Sequence, residues 1–167
     1  ELKSRGIKVL PPSINTSTER FEPTKEGIAY RITTIKHVGE SAIKAINELR
    51  PFTSFEDFLE RRDTGKLKKN VVVNLIKAGS FDEFNPNRAE LLHQFEMSLR
   101  TKTQIKEEYI VPDVPYDDKV KMEWEKEVLG MYLSSHPMEK YGFKPWDSYA
   151  DGEYTALCGG EVYDRRV

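Results

Sequence analysis

Apolar positions along the 167-residue chain change their period as it proceeds. Ile28, Tyr30 and Ile32 alternate with Ala29, Arg31 and Thr33, the two-residue period of a half-buried strand. From Gly39 the period lengthens: Ala42, Ile43, Ile46 and Leu49 share one helical face that ends before Pro51. Phe55, Phe58 and Leu59 repeat the pattern behind a Thr53/Ser54 cap. A third helix is predicted through Val72, Leu75 and Ile76 to a C-capping Gly79. A fourth is expected to start at Asn85-Pro86, cap plus first-turn proline, and presents Leu91, Leu92, Phe95 and Leu99. Val120, Trp124 and Val128 recur at four-residue spacing between Asp117 and Leu129, giving a fifth. The pattern predicts a mainly α chain: a short strand near 28–33, then a compact helical bundle over 34–100.

The flanks read differently. Residues 1–27 resemble the end of a helix, a stiff Val9-Leu10-Pro11-Pro12 connection and a polar stretch turning near Glu26-Gly27. Residues 101–116 are polar, contain Pro112 and Pro115, and read as a linker. Leu133, Pro137, Tyr141, Phe143 and Trp146 form an aromatic-rich segment expected to pack back on the bundle. Thr155 to Val162 has the character of a truncated β start. A chain that begins inside a helix and ends inside a strand is expected to be a piece of a longer protein.

Composition narrows the function classes. The chain is 38% hydrophobic and 32% charged, enough for one modest core or two small ones packed together. No apolar run of membrane-spanning length occurs, and Glu1-Leu2-Lys3-Ser4-Arg5 does not open a signal peptide, so a cytoplasmic protein without a membrane partner is expected. The single cysteine, Cys158, has no internal disulfide partner, and His37, His93 and His136 lack metal-ligand spacing. Residues 1–106 carry 19 basic and 14 acidic side chains, whereas 107–167 carry 7 and 14. The first part can face a polyanion; the second should repel one.

A polyanion needs a seat, and Ile35-Lys36-His37-Val38-Gly39-Glu40-Ser41-Ala42-Ile43-Lys44-Ala45-Ile46 is similar to one, the helix-hairpin-helix signature. Free N–H groups at a helix start, aided by the macrodipole and a glycine that admits another backbone, suit a DNA phosphate. The motif ordinarily has glycine at both ends of its turn; here His37 holds the first place and Gly39 the second. The resemblance implies backbone contacts around Val38 to Ser41, with His37 in the turn and Lys36 and Lys44 as ionic partners. Lys66, Lys68 and Lys69 either extend that basic surface or are simply solvated.

Further blocks widen the resemblance to the α-subunits of bacterial-type or phage replicative C-family DNA polymerases. Gly6-Ile7-Lys8-Val9-Leu10-Pro11-Pro12-Ser13-Ile14-Asn15 resembles the tail of their fingers region, and Pro51-Phe52-Thr53-Ser54-Phe55-Glu56-Asp57-Phe58 the segment after the first hairpin. Leu75-Ile76-Lys77-Ala78-Gly79-Ser80-Phe81-Asp82 with Asn87-Arg88-Ala89 resembles a second, degenerate hairpin. Trp124 and Glu125 to Ser134, with His136-Pro137, resemble the block before the OB-fold. The resemblance implies a fingers end at 1–33, tandem hairpins at 34–100, a linker at 101–116, a helix and packing segment at 117–150, and the start of an OB-fold at 151–167.

It further implies a parent DNA-directed DNA polymerase whose magnesium-holding palm lies elsewhere. This stretch is then non-catalytic, without a cofactor, and its expected partner is primer-template duplex DNA. The alternative is a protein-interaction module that docks the sliding clamp or other replisome subunits. The nearest clamp-like string is Gln94-Phe95-Glu96-Met97-Ser98-Leu99, in which Phe95 and Leu99 share the apolar face of the fourth helix. Asp82-Glu83 and Asp117-Asp118 are better explained as helix caps than as ligands of a two-metal centre, and Trp124 and Trp146 as core rather than base-stacking platforms.

Overall fold

The computed structural model describes residues 8–25, 27–101 and 116–135. Residues 1–7, residues 102–115 of the linker expected at 101–116, His136, the aromatic segment from Pro137 to Trp146, Cys158, the β start at Thr155 to Val162 and the rest of the OB-fold start expected at 151–167 lie outside the described residues.

Three two-residue strands, β1 (Val9–Leu10), β2 (Glu22–Pro23) and β3 (Ile28–Ala29), form a small sheet in the order β1-β3-β2. β1 runs parallel to β3 and β2 antiparallel to it. The alternation expected over 28–33 does turn Tyr30 and Ile32 inward, but the paired strand is shorter than that run. The Tyr30 carbonyl accepts from the Ser17 hydroxyl at 2.9 Å, and the Ile32 N–H donates to the Thr18 carbonyl at 3.0 Å. With those groups engaged elsewhere, the chain tightens into a 3-10 turn at Ile32–Thr34.

Five α-helices follow: α1 (Glu40–Leu49), α2 (Phe55–Arg61), α3 (Lys69–Ala78), α4 (Arg88–Thr101) and α5 (Asp118–Leu129). Their starts are set by local chemistry. Ser54 Oγ accepts from Asp57 N at 3.1 Å, and Asp117 Oδ1 accepts from Val120 N at 2.9 Å, each satisfying a donor that the helix leaves open. α4 departs from the expected Asn85-Pro86 start. Asn85 Oδ1 accepts from Asn87 N at 2.8 Å, and Asn87 Oδ1 in turn accepts from Glu90 N at 3.2 Å, so the cap falls two residues later.

The core is built on phenylalanines. Phe55, Phe58 and Phe81 meet edge to face or stacked with centroids 4.8–6.1 Å apart, and Phe52 and Phe95 are also buried. Burying each such side chain contributes about 1.5–3 kcal/mol. The segment between β1 and β2 straps across them. Ile14 N donates to Ser80 O, Arg50 reaches the carbonyls of Ile14 and Ser17 at 2.6 and 2.7 Å, and Asn15 exchanges two bonds with the Phe52 backbone. On α5 the buried positions are Glu125, Val128 and Leu129, while Val120 and Trp124 are only half-buried, so the helix is rotated from the face its sequence spacing suggests.

That rotation places a carboxylate in the interior. Glu125 and Arg88 are each 1% exposed. Arg88 Nη2 lies 3.3 Å from Glu125 Oε1 and 2.7 Å from Asp82 Oδ2, Nε donates to Asp82 Oδ1 at 2.9 Å, and Nη1 donates to the Lys77 carbonyl at 2.9 Å. Glu125 Oε2 accepts from Leu133 N, Ser134 N and the Ser134 hydroxyl at 2.8–3.1 Å. Burial alone would lower the Arg88 pKa; the hydrogen bonds and charge of Asp82, joined by Tyr116 and Glu125, outweigh it and hold the guanidinium above its ordinary value. Asp82 therefore serves as a half-buried counterion, not the helix cap its position suggested.

Gly79 makes room for this network. Its φ of 86° is left-handed, and a Cβ there would stand 2.4 Å from Arg88 Nη2. Gly79→Ala is expected to lose at least about 2 kcal/mol, the left-handed penalty plus displacement of the guanidinium. A shift in the urea midpoint at unchanged m-value checks it.

Candidate nucleic-acid interface

The first hairpin runs from the 3-10 turn through Ile35–Gly39 into α1. Ile35 and Val38 are buried, whereas Lys36, His37, Gly39, Glu40, Ser41 and Lys44 are exposed. His37 has φ 66°, the sole positive value outside glycine among the described residues. The turn keeps the left-handed geometry its usual glycine would adopt, and an imidazole-bearing residue bears the strain. His37→Gly is expected to stabilise the fold by up to about 1 kcal/mol, the relieved strain less the added freedom of the unfolded chain. Equilibrium denaturation measures that difference.

The N-terminus of α1 is open. Gly39 caps it with φ −93° and ψ 175° and no side-chain hydrogen bond, while its carbonyl accepts from Ala42 N and Ile43 N at 3.0 and 3.1 Å. Among the described residues no acceptor meets the N–H groups of Gly39, Glu40 and Ser41. A Cβ built on Gly39 finds nothing within 4 Å, so the fold itself does not need glycine there. These amides leave space for an anion at the positive end of the helix. Val38 does not belong to that set: its N–H donates to Ile35 O at 3.0 Å inside the turn and its side chain is core.

A second hairpin repeats the first, but at another place than the expected Leu75–Asp82. Val38, Gly39, Ala42, Ile43 and Ile46 are matched, each 29 positions later, by Leu67, Lys68, Val71, Val72 and Leu75. The helix start repeats with them, though not the left-handed residue of the turn. Lys68 caps α3 with φ −65° and ψ 163°, and its carbonyl accepts from Val71 N and Val72 N at 3.0 and 3.1 Å, as Gly39 does for α1. α2, the turn Arg62–Lys68 and α3 are thus the second hairpin; Leu75–Asp82 is the C-terminal end of α3 and its corner. The repeat was readable from spacing, though lysines stand where glycines would have flagged it: Lys66 matches His37, and Lys68 matches Gly39.

The lysines fall into two settings. Lys68 and Lys69 are exposed at the second helix start and meet no carboxylate among the described residues. Lys66 lies 3.8 Å from Glu48 and 3.9 Å from Asp63. Lys44 stands one turn along α1 from the seat and lines an open cleft with Glu19, Glu40, Asn47 and Glu48. Lys44 thus shares its cleft with three carboxylates, whereas Lys68 and Lys69 do not. Gln94 lines a different cleft, with Ser54, Phe55 and Phe84. Its neighbour Phe95 is 0% exposed, so the clamp-like string cannot be offered as a peptide without opening the core. No three His, Cys, Asp or Glu side chains among the described residues are grouped to hold a metal, and no described helix is long and apolar enough to cross a membrane.

Comparison with known proteins agrees with this geometry. The helix-hairpin-helix motif family matches residues 6–91. The chain is 35% identical over 169 residues to DNA polymerase III subunit alpha of Vibrio cholerae, covering 84% of this chain and 14% of the relative. It is 34% identical over 160 residues to the Thermus aquaticus protein of that name, covering 84% and 13%, and 35% identical over 155 residues to one from Staphylococcus aureus, covering 84% and 15%. The chain thus spans about one seventh of the length of the relatives it matches. It belongs to the helix-hairpin-helix family, in the form carried by DNA polymerase III α-subunits.

Proposed function

We propose that this chain is a non-catalytic, DNA-backbone-binding part of a replicative DNA polymerase, which holds the duplex of a primer-template through its phosphates. The observation that carries the reading is the open amide set of Gly39, Glu40 and Ser41, at a glycine whose missing Cβ the fold does not require. Contacts of this kind read no sequence, which suits a surface that must follow any template. The first seat takes its charge from Lys36, and Lys68 and Lys69 supply a second cationic helix start. The chain contributes no metal-holding carboxylates in this reading; polymerisation belongs to the rest of the parent protein.

Fluorescence anisotropy of a labelled primer-template duplex tests the assignment. Lys36→Ala and the double variant Lys68→Ala/Lys69→Ala should each weaken binding for every sequence tried and lower the salt slope by about one for each phosphate no longer neutralised. Lys44→Ala should weaken binding less than either, because Lys44 shares its open cleft with Glu19, Glu40 and Glu48. Equal affinity in all three would place the DNA surface elsewhere.

A further inference from the structure

We propose that Asn74 is a positioning residue for the phosphate seat: from α3 it holds the Lys36 peptide and so presets the first hairpin turn. The inference rests on the DNA-binding reading above and adds the residue that gives the seat its shape.

The Lys36 peptide is gripped on both sides. Its carbonyl accepts from Asn74 Nδ2 at 2.6 Å, across 38 residues of sequence, and its N–H donates to the Val128 carbonyl of α5 at 3.0 Å. The next residue is His37, at φ 66°. The tether therefore acts immediately before the strained residue, where a released peptide would let the turn relax toward ordinary backbone angles. Three residues further on, the amides of Gly39 to Ser41 take their direction from that turn.

Packing alone does not ask for asparagine at this position. Asn74 is 7% exposed on the buried stripe of α3, and 29 positions earlier its counterpart in the first hairpin is Ala45, 2% exposed. A buried amide that found no partner would cost about 1–3 kcal/mol, so its presence there is explained by the bond it makes. The second hairpin's helix thereby holds the first hairpin's turn. α5 completes the grip, and its own end is fixed by Glu125, which binds Arg88 and the Leu133 and Ser134 amides. A preset turn binds an anion without first losing conformational freedom.

The test compares the 167-residue wild type with Asn74→Asp and Asn74→Ala, using the labelled duplex at low salt between about pH 5 and about pH 8. Each protein is checked for folding at every pH by circular dichroism. Asn74→Asp keeps the shape but turns a carboxylate toward the Lys36 carbonyl; burial and the facing carbonyl oxygen favour its protonated form above the ordinary carboxylate range, and that form can donate again. Lys36 and His37 on the turn, Lys77 on α3 and Glu127 on α5 are present in every variant, and Asn74→Ala, which adds no charge, controls for pH effects that do not come from residue 74.

Both variants should bind about fivefold more weakly at the alkaline end, the effect of one lost neutral hydrogen bond. As pH falls the gap should close for Asn74→Asp and stay open for Asn74→Ala. A residue that merely supported the core would give no such pH-dependent recovery. Folded variants that bind like the wild type at every pH overturn the positioning role. A wild type that does not bind duplex at all overturns the DNA reading itself. Should Asn74→Asp not fold, amide exchange at Lys36 and Val38 decides: the proposal expects Asn74→Ala to speed it selectively, and unchanged protection there overturns it.

Discussion

Replacing Arg88 with alanine is expected to remove about 3–5 kcal/mol of folding free energy, because Asp82 and Glu125 are left as carboxylates without their cation, Glu125 in the interior. The 1% exposure of Arg88 and Glu125 means that water cannot substitute for the lost partner. Against a total stability of about 5–15 kcal/mol, that loss takes the chain close to unfolding at ordinary temperature. The comparison with Glu125→Gln separates charge from shape. Glutamine keeps an oxygen for the Leu133 and Ser134 amides but gives up the charge facing Arg88, so its loss should be the smaller of the two. Urea denaturation of the two single variants and the double variant gives the coupling energy directly, and additive effects would show that Arg88 and Glu125 act independently. The functional link is spatial: this network fixes the end of α5 whose Val128 carbonyl receives the Lys36 N–H.

The second large effect is a change of opposite sign in stability and in binding. Gly39 has extended dihedrals and free space at its Cβ position, so Gly39→Asp fits the backbone without strain. Aspartate is among the better N-cap residues, and its charge complements the dipole of α1, so the fold should gain a few tenths of a kcal/mol, to about 1 kcal/mol. The same side chain occupies the amides offered to a phosphate and sets a negative charge before it. Duplex affinity should fall by about tenfold or more at low salt, corresponding to roughly 1.4 kcal/mol or above. Parallel thermal melts and anisotropy titrations measure both signs. A variant that is more stable and binds as well as the wild type would dissociate Gly39 from the interface.

What the sequence displayed and what it hid follow from the range of the interactions. The caps at Ser54 and Asp117 and the left-handed Gly79 stop are local devices, and local residues announced them. α1 was legible from its apolar spacing. The span of β3 was overestimated because alternation shows which side chains turn inward but not where hydrogen-bond partners run out. Asp82 read as a helix cap and Glu125 only as part of a family block, since nothing near Glu125 indicates that Arg88, 37 residues earlier, will pair with it in the interior. Asn74 was missed for the same reason: its partner is 38 residues away. The second hairpin was hidden by chemistry, its glycine places being filled by lysines, although the 29-residue recurrence of buried positions carried it.

The central claim, that the hairpin surface holds DNA through phosphates alone, is tested most directly by the salt dependence of wild-type binding to two primer-template duplexes of unrelated sequence. The account predicts equal affinities at each salt concentration, in the non-specific range of about 10⁻⁴ to 10⁻⁶ M or weaker, with log–log slopes near −1 to −2 for one or two phosphate contacts. Absence of binding at low salt, a slope near zero, or a preference of about tenfold or more for one duplex sequence would contradict it.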